Sequence, residues 1–597
     1  MNSRLKELTK LVPAKHLIFI MPLWFVIFDF LLSASFTNNL LRFIFGNYFL
    51  SSFLLFLIFC LLIFIFISPG LIQKKHNLAY SLIILLPIIL LSFWSVQKTN
   101  ITILMPFLVV FATQIVFYKI LFYRKNLNME SDPRKEKIAL LIIIILYFFI
   151  FSYISICIFD ALDFFNPKDF GLFNQIFWNT IHGKLFLNST YGSHFACHNS
   201  LFFLLLVPFY YLFPHPLTLL VLKIMLLSLS AIPFYLITKD ILKQTSALPL
   251  VVTFLLFPYI VGQNFTPPHE MGYAPFFILF TFYFFQKKKI IPFFIFLLIT
   301  VSIKETLAFL AVMFGCYAFL KKRGIVWIAY PILIGITWFI ASMGIINYFQ
   351  ELYQPHSDSA WYFVYLKKIF LIENNGGPLT PIAQLLLNSN IAHWHILKPI
   401  LLFFFSLGLL PALLGSATIL GLPELMINLL ACNSNMFSPI WHYNTTLSCF
   451  ILIGTIQGIK KISYFASNKK YLQLTEHKLQ LLLSIFILSC TIVQSYTWLE
   501  HGKCKRDTAY IKEVKEALSF VPLNASISVP VRIAIIVSSR EKYSIAGTDS
   551  GEDYVLIDSL DTEKKLKTNI DFNYNEIYRK ESIILYKIKN KKSEDYP

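Results

Sequence analysis

The sequence predicts an all-α polytopic membrane protein of about 13–14 transmembrane helices, closed by a small C-terminal α/β domain. Three observations carry that expectation. The first is composition: 57% of the 597 residues are hydrophobic and only 14% charged, against about a quarter charged in soluble proteins. The second is a series of long apolar runs, among them "HLIFIMPLWFVIFDFLLSASF" (16–36), "FLLFLIFCLLIFIFI" (53–67) and "IALLIIIILYFFIFSYISICIF" (138–159). A hydrocarbon layer takes roughly 20 residues of helix, and without water the backbone must pair within each segment. A transmembrane barrel would alternate polar and apolar residues instead. The third is a change of texture near residue 499, beyond which apolar residues no longer form long runs.

Taken in order, spans are expected near 14–36, 48–69, 78–96, 101–123 and 138–159. The opening "MNSRLKELTKLVPAKH" is basic, but the apolar run behind it is long and has no small-residue cleavage site, so it reads as a retained first span. Lys and Arg gather in short loops: Arg4 to Lys15, Lys74–Lys75, Arg124 to Lys137, Lys287–Lys289 and Lys321–Arg323. Such loops stay cytoplasmic, so the formal charge of +19 reports topology and nucleic acid is excluded as a partner. With a cytoplasmic N-terminus, the fifth span exits into an external loop, 160–199. There follow an apolar piece at 200–213 and spans near 217–237, 246–262 and 271–286. The 290–320 stretch is cut by Lys304–Glu305 and reads as two short helices meeting at the outer side. A span at 324–347 leads to a second polar loop, 348–396; then come 397–431 (two helices), 446–459 and 478–498. The division expected is a four-helix membrane extension (1–137), a transmembrane core (138–498) and an extracytoplasmic α/β domain (499–597). In the last, "RDTAYIKEVKEALSFV" has helical spacing, whereas "ASISVPVRIAIIVS", "DYVLIDS" and "SIILYKIK" read as strands. The eight cysteines show no metal-ligand spacing; Cys197, Cys432 and Cys504 fall on the outer side, where a disulfide competes with idle thiols.

Ionisable residues within membrane segments cost about 2.5–3.5 kcal/mol on insertion scales and are functional suspects. Those assigned to the outer side are Asp169, His194 and His198 in "HFACHNS", His269 and Glu270 in "PPHEMGYAP", Lys304 and Glu305, Glu424 in "LPELMINLL", and His442 and Tyr443 in "WHYNTT". Together they offer a base, phosphate-binding cations and aromatic walls. Structural duties compete with each. Asp160 and Asp163 mark the exit of a span, and Asp169 stands at the start of an amphipathic helix, where capping and catalysis are both open. His194 and His198, at i and i+4, share a helix face that could hold a divalent metal, but no HExxH frame accompanies them and no metal ligands are assigned. Lys304–Glu305 also suits a solvated turn, while Lys223 and Asp29 suit snorkelling or structural pairing within spans. Walker, GxSxG and Rossmann patterns are missing, as is a matching pair of Gly/Pro-broken helices.

"DFGLFNQIFW" (169–178), "HNSLFFLLLVPFYYLFPHPLTLL" (198–220), "PPHEMGYAP" (267–275), "SIKETLAF" (302–309), "LPELMINLL" (422–430), "WHYNTT" (441–446) and "DYVLID" (553–558) occur in one order. As a set they resemble a prokaryotic family of predicted membrane proteins known as domain of unknown function 2079, over roughly 150–560. That family in turn resembles the GT-C glycosyltransferases, multi-span enzymes taking sugar from a polyprenyl-phosphate carrier at the outer membrane face. The resemblance implies a GT-C-like core in a bacterial cytoplasmic membrane, a lipid-linked sugar donor, an acceptor, and an acidic residue in the large external loop after the core's first helix. Asp169 occupies that position. The expected roles are catalysis by Asp169 and substrate binding by His198, His269, Glu270, Lys304, Glu305, Glu424, His442 and Tyr443. No second strong acidic motif and no clear acceptor-binding domain carry over. A transporter or flippase, with charges lining a continuous path, and a non-catalytic envelope scaffold remain the competing expectations.

Overall fold

Asp132 starts the first helix among the described residues, accepting the Arg134 amide at 2.9 Å ahead of Pro133 at the first helical position. Helix α1 (Pro133–Asp160) is apolar all round, yet one stripe is buried: Leu140, Ile144, Tyr147, Phe151 and Ile158. The opposite face leaves Leu141, Ile145, Phe149 and Tyr153 exposed, as a lipid-facing helix should. The structure is a computed structural model, which describes residues 132–242, 247–353, 415–430, 436, 441–467, 475–499, 507–545, 551–558 and 574–589. The expected spans before residue 132, with Asp29, lie outside the described residues, as do Cys432, Cys504 and nearly all of the 348–396 loop.

After α1 the chain turns at Asn166, whose φ of 51° is left-handed, and enters the amphipathic helix α2 (Pro167–Ile181). A two-residue hairpin, β1 (Leu187–Asn188) with β2 (Gly192–Ser193), and a short 3-10 turn (His194–Ala196) follow. The 200–213 piece is a 3-10 turn (Leu201–Leu205) and a short helix α3 (Val207–Leu212) rather than a span. Helices α4 (Pro216–Leu229) and α5 (Ala231–Leu242) together make one membrane-length segment, and α6 (Ala247–Leu256) continues into α7 (Pro258–Val261) through a 53° bend. Pro258 removes a helical donor at the bend. Beyond it come α8 (Ala274–Gln286), α9 (Ile290–Ile303), α10 (Leu307–Leu320), the long α11 (Ile325–Tyr353), then α12 (Leu422–Leu430), α13 (Thr445–Ser467) and α14 (Glu476–Leu499). Among the described residues three helices are long and apolar enough to cross a bilayer, or four with the bent pair taken as one span.

Residues 262–273 are irregular: two 3-10 turns around "TPPH". Such backbone is tolerated at membrane depth only where the protein supplies its hydrogen bonds. Here Lys223, fully buried on α4, supplies them. Its Nζ donates to the carbonyls of Gln263 at 2.6 Å, Thr266 at 2.5 Å and Pro267 at 3.3 Å. Gln263 donates to Thr445 Oγ1 at 3.0 Å, Asn264 to the Tyr147 hydroxyl at 2.7 Å, and Ser155 to the Asn264 carbonyl at 3.0 Å. Lys223 therefore neither snorkels nor pairs with an acid; it clamps a loop.

The chain ends in a five-stranded mixed sheet of order β4-β3-β5-β7-β6, built from β3 (Ile527–Val529), β4 (Tyr543–Ile545), β5 (Tyr554–Asp558), β6 (Tyr574–Lys580) and β7 (Ile583–Ile588). Strand β3 pairs parallel with β4 and β5, whereas β5–β7 and β6–β7 are antiparallel. Helix α15 (Thr508–Ser519), capped by Asp507, lays Tyr510, Ile511, Val514 and Ala517 on the sheet. This domain is keyed into the membrane core. Leu162 enters its hydrophobic cluster, and Ile535, on the one-turn helix α16 (Ala534–Val537), enters the membrane cluster. Asn174 of α2 donates to Ser538 and Ser539 at 2.9 and 3.0 Å, and Gln175 to the Glu541 carbonyl at 2.8 Å. Gly171 permits the approach, since a Cβ there would lie 2.6 Å from the Tyr543 hydroxyl and 3.0 Å from the Ala534 carbonyl.

Candidate functional site

Asp169 is the third residue of α2. Its carboxylate accepts from the Asn166 side-chain amide, and its own N–H donates to Asn166 Oδ1 at 3.3 Å, a reciprocal capping arrangement. Asn166 is thus the cap, and Asp169 assists it while keeping 30% of its side chain exposed. Burial raises its pKa above the ordinary value; Asn166 and Lys168 oppose that shift and Glu270 adds to it. Oδ2 stands 3.7 Å from His269 Nε2.

The irregular 262–273 segment delivers His269 and Glu270 to this point, and the turn before α13 delivers His442. The His269 and His442 rings stack with centroids 4.1 Å apart, and Phe173 meets His269 edge-on at 4.8 Å. Ligand atoms of His269, Glu270 and His442 all lie within 4.8 Å of one another, and all three residues are buried. Ser200 donates to Glu270 at 3.3 Å, and His194 Nε2 lies 3.4 Å from the same carboxylate oxygen. Glu305, with no exposed surface, takes His198 Nδ1 at 3.0 Å and the Asn199 amide at 3.1 Å. Asp169, His194, His269, Glu270 and His442 therefore meet in one cluster, with the His198–Glu305 pair beside it.

Of the two contributions expected of the set, positive charge or hydrogen-bond donors, His269 and His442 suit the second: burial drives His269 down to about 3 and His442 well below its ordinary value, with Lys304 opposing protonation of both. Both rings are thus biased toward the neutral form. Lys304 carries the positive charge: burial works against it, but Glu270 and Glu305 hold its pKa above the ordinary value. Burial likewise opposes ionisation of Glu270, yet Lys304 and then His194 pull its carboxyl well below the usual range.

The His194–His198 pair is also corrected. His194 lies in a three-residue 3-10 turn, not an α-helix, and the two rings, 6.1 Å apart, serve different carboxylates. Glu424 is half-buried and accepts the Leu447 amide at 2.7 Å in the first turn of α13, so it doubles as a helix cap. Burial raises its pKa to about 8, against the pull of the Leu447 and Thr446 hydrogen bonds. Lys304, Glu424, His442 and Tyr443 form the polar end of a cavity of about 60 Å³, whose other walls include Leu307, Leu310 and Leu420. Among the described residues Cys197 has no disulfide partner. Sequence reasoning missed Asn166 and the clamping role of Lys223. A Pro-marked "NPKD" at a helix start could have signalled the first; only the folded chain brings Lys223 beneath the 262–273 loop.

Fold and site define a polytopic helical membrane protein carrying a small mixed-sheet domain and a buried cluster of ionisable side chains beneath it. The chain belongs to the family described as "Predicted membrane protein (DUF2079)", which matches residues 164–590. Among solved structures, ArnT from Cupriavidus metallidurans bound to undecaprenyl phosphate is similar, with a TM-score of 0.47 and 7% identity over 76% of this chain and 98% of that one. No curated protein matches the sequence.

Proposed function

We propose that this protein is a GT-C-like membrane glycosyltransferase, moving a sugar from a polyprenyl-phosphate carrier to an acceptor at the outer face of the cytoplasmic membrane. One observation carries the reading: a partly exposed carboxylate of raised basicity, Asp169, stands at the rim of a buried cluster holding one charged lysine, Lys304. The depth of the cluster suits a lipid-borne substrate. Helices α9 and α10 have 14 residues each, so the Lys304 turn stands about 21 Å from the Lys287–Lys289 and Lys321–Arg323 layer. That is short of a hydrocarbon core about 30 Å thick. A phosphate anchored by an isoprenoid tail reaches such a recess from the outer leaflet.

In the proposed reaction Asp169 takes the proton of an acceptor hydroxyl. The hydroxyl oxygen bonds to the anomeric carbon from the face opposite the phosphate. The bond from that carbon to the phosphate oxygen breaks, and its electron pair leaves with the polyprenyl phosphate, stabilised by Lys304. The clustering of Asp169, Glu270, Lys304 and Glu305 in one region favours this chemistry over a transport path, which needs charges through the whole thickness.

Purified full-length protein given polyprenyl-phosphate sugars and glycan acceptors should release polyprenyl phosphate. Asp169→Asn, which keeps the size and the cap, should slow release by about 10²–10⁴-fold. Release from no donor in a broad panel, or undiminished release by Asp169→Asn, would refute the reading. So would a reporter fusion locating residue 169 in the cytosol.

A further inference from the structure

Among the described residues, His269 Nε2 and His442 Nδ1 make no hydrogen bond, and the two residues are only 7% and 4% exposed. A buried polar atom without a hydrogen bond costs roughly 1–3 kcal/mol, so two of them on residues clustered with Glu270 call for an explanation. We propose that His269, Glu270 and His442 form a binding site for a divalent first-row transition cation of the zinc class. Two imidazoles and one carboxylate are a donor set that zinc accepts with a fourth position left open. Magnesium and calcium prefer all-oxygen shells.

The geometry is close to, but not at, coordination. Ligand atoms around zinc at about 2.1 Å sit roughly 3.4 Å apart in a tetrahedron, whereas here they lie within 4.8 Å of one another. The imidazoles are stacked with planes only 30° apart, so both rings must turn for their lone pairs to meet at one ion. Ser200, bonded to Glu270 at 3.3 Å, is an outer partner able to hold the carboxylate in place. Asp169, 3.7 Å from His269 Nε2, flanks the same nitrogen and would meet whatever takes the fourth position. The inference does not depend on the transferase reading, because binding is measured without substrate.

The test uses full-length protein purified in detergent, stripped with EDTA and titrated separately with Zn²⁺, Co²⁺ and Mg²⁺. One zinc per chain should survive gel filtration. Co²⁺ should give visible absorption that Zn²⁺ abolishes and excess Mg²⁺ does not. His442→Ala and Glu270→Gln should each weaken binding by at least about 100-fold. His182→Ala should bind like the wild type, since that exposed ring bonds the Trp178 carbonyl at 2.7 Å instead. Zinc well below one per chain in the wild type overturns the proposal without reference to any variant. Wild-type binding by both His442→Ala and Glu270→Gln overturns it as well.

Discussion

Asn174 ties the helix bearing Asp169 to the sheet domain, and replacing it with leucine tests whether that tie holds the helix in place. The side chain has no exposed surface. Its amide donates to Ser538 and Ser539 at 2.9 and 3.0 Å, and its carbonyl accepts from the Tyr210 hydroxyl at 2.6 Å. Three hydrogen bonds at about 1 kcal/mol net give a loss of about 3 kcal/mol. The serines keep other outlets, Ser538 donating to the Ile535 carbonyl at 2.7 Å. The Tyr210 hydroxyl also reaches Ser539, which returns about 1 kcal/mol of the loss. The expected cost is therefore about 2 kcal/mol, or roughly a 30-fold rise in local opening. Hydrogen exchange followed by mass spectrometry reads this directly. Peptides covering 167–181 and 531–545 should exchange about 30-fold faster, and those covering 290–320 should not change. Unchanged exchange in the first two, or equal acceleration everywhere, would show that the domain contact is not held through Asn174.

Lys223→Met removes the donor from three loop carbonyls at 2.5–3.3 Å. It should destabilise the protein by about 3 kcal/mol, with faster exchange confined at first to residues 262–273; uniform exchange would count against the clamp. Gly171→Ala should be destabilising by about 1–2 kcal/mol despite alanine's better helix propensity. The new Cβ meets Tyr543 and a backbone carbonyl that cannot turn away. Tyr543→Phe should recover part of that loss, and a Gly171→Ala protein more stable than the wild type would contradict the packing. For Glu424, the pKa rises from 4.5 to about 8 on folding. The folded state thus binds more protons than the unfolded one between those values, and stability falls as pH rises through that window. Glu424→Gln should flatten this slope, so thermal unfolding at pH 6 and pH 9 should show the variant gaining on the wild type at the higher value. Parallel pH dependences would rule out a raised pKa at Glu424.

Apolar length was enough to define α1 and α11, because a helix in lipid must satisfy its own backbone and its sequence therefore declares itself. The break at Lys304–Glu305 was equally legible, since two charges cannot lie in mid-span without purpose. Strands β3, β5 and β7 also showed, through β-branched runs such as "DYVLID", but 531–537, expected as strand, is a 3-10 turn followed by α16, and β4 and β6 went unread. The irregular 262–273 loop was not legible, because its support comes from Lys223 on a distant helix. Charge state was the least readable property. The sequence leaves His269 and His442 open as cations or hydrogen-bond donors, and only their burial in the cluster biases them toward the neutral form. Local composition determined which segments enter the membrane, because transfer from water to lipid is settled segment by segment. Long-range packing decided which ionisable groups meet, and meeting sets their pKa values, because desolvation and Coulomb interactions depend on distance in space and not along the chain.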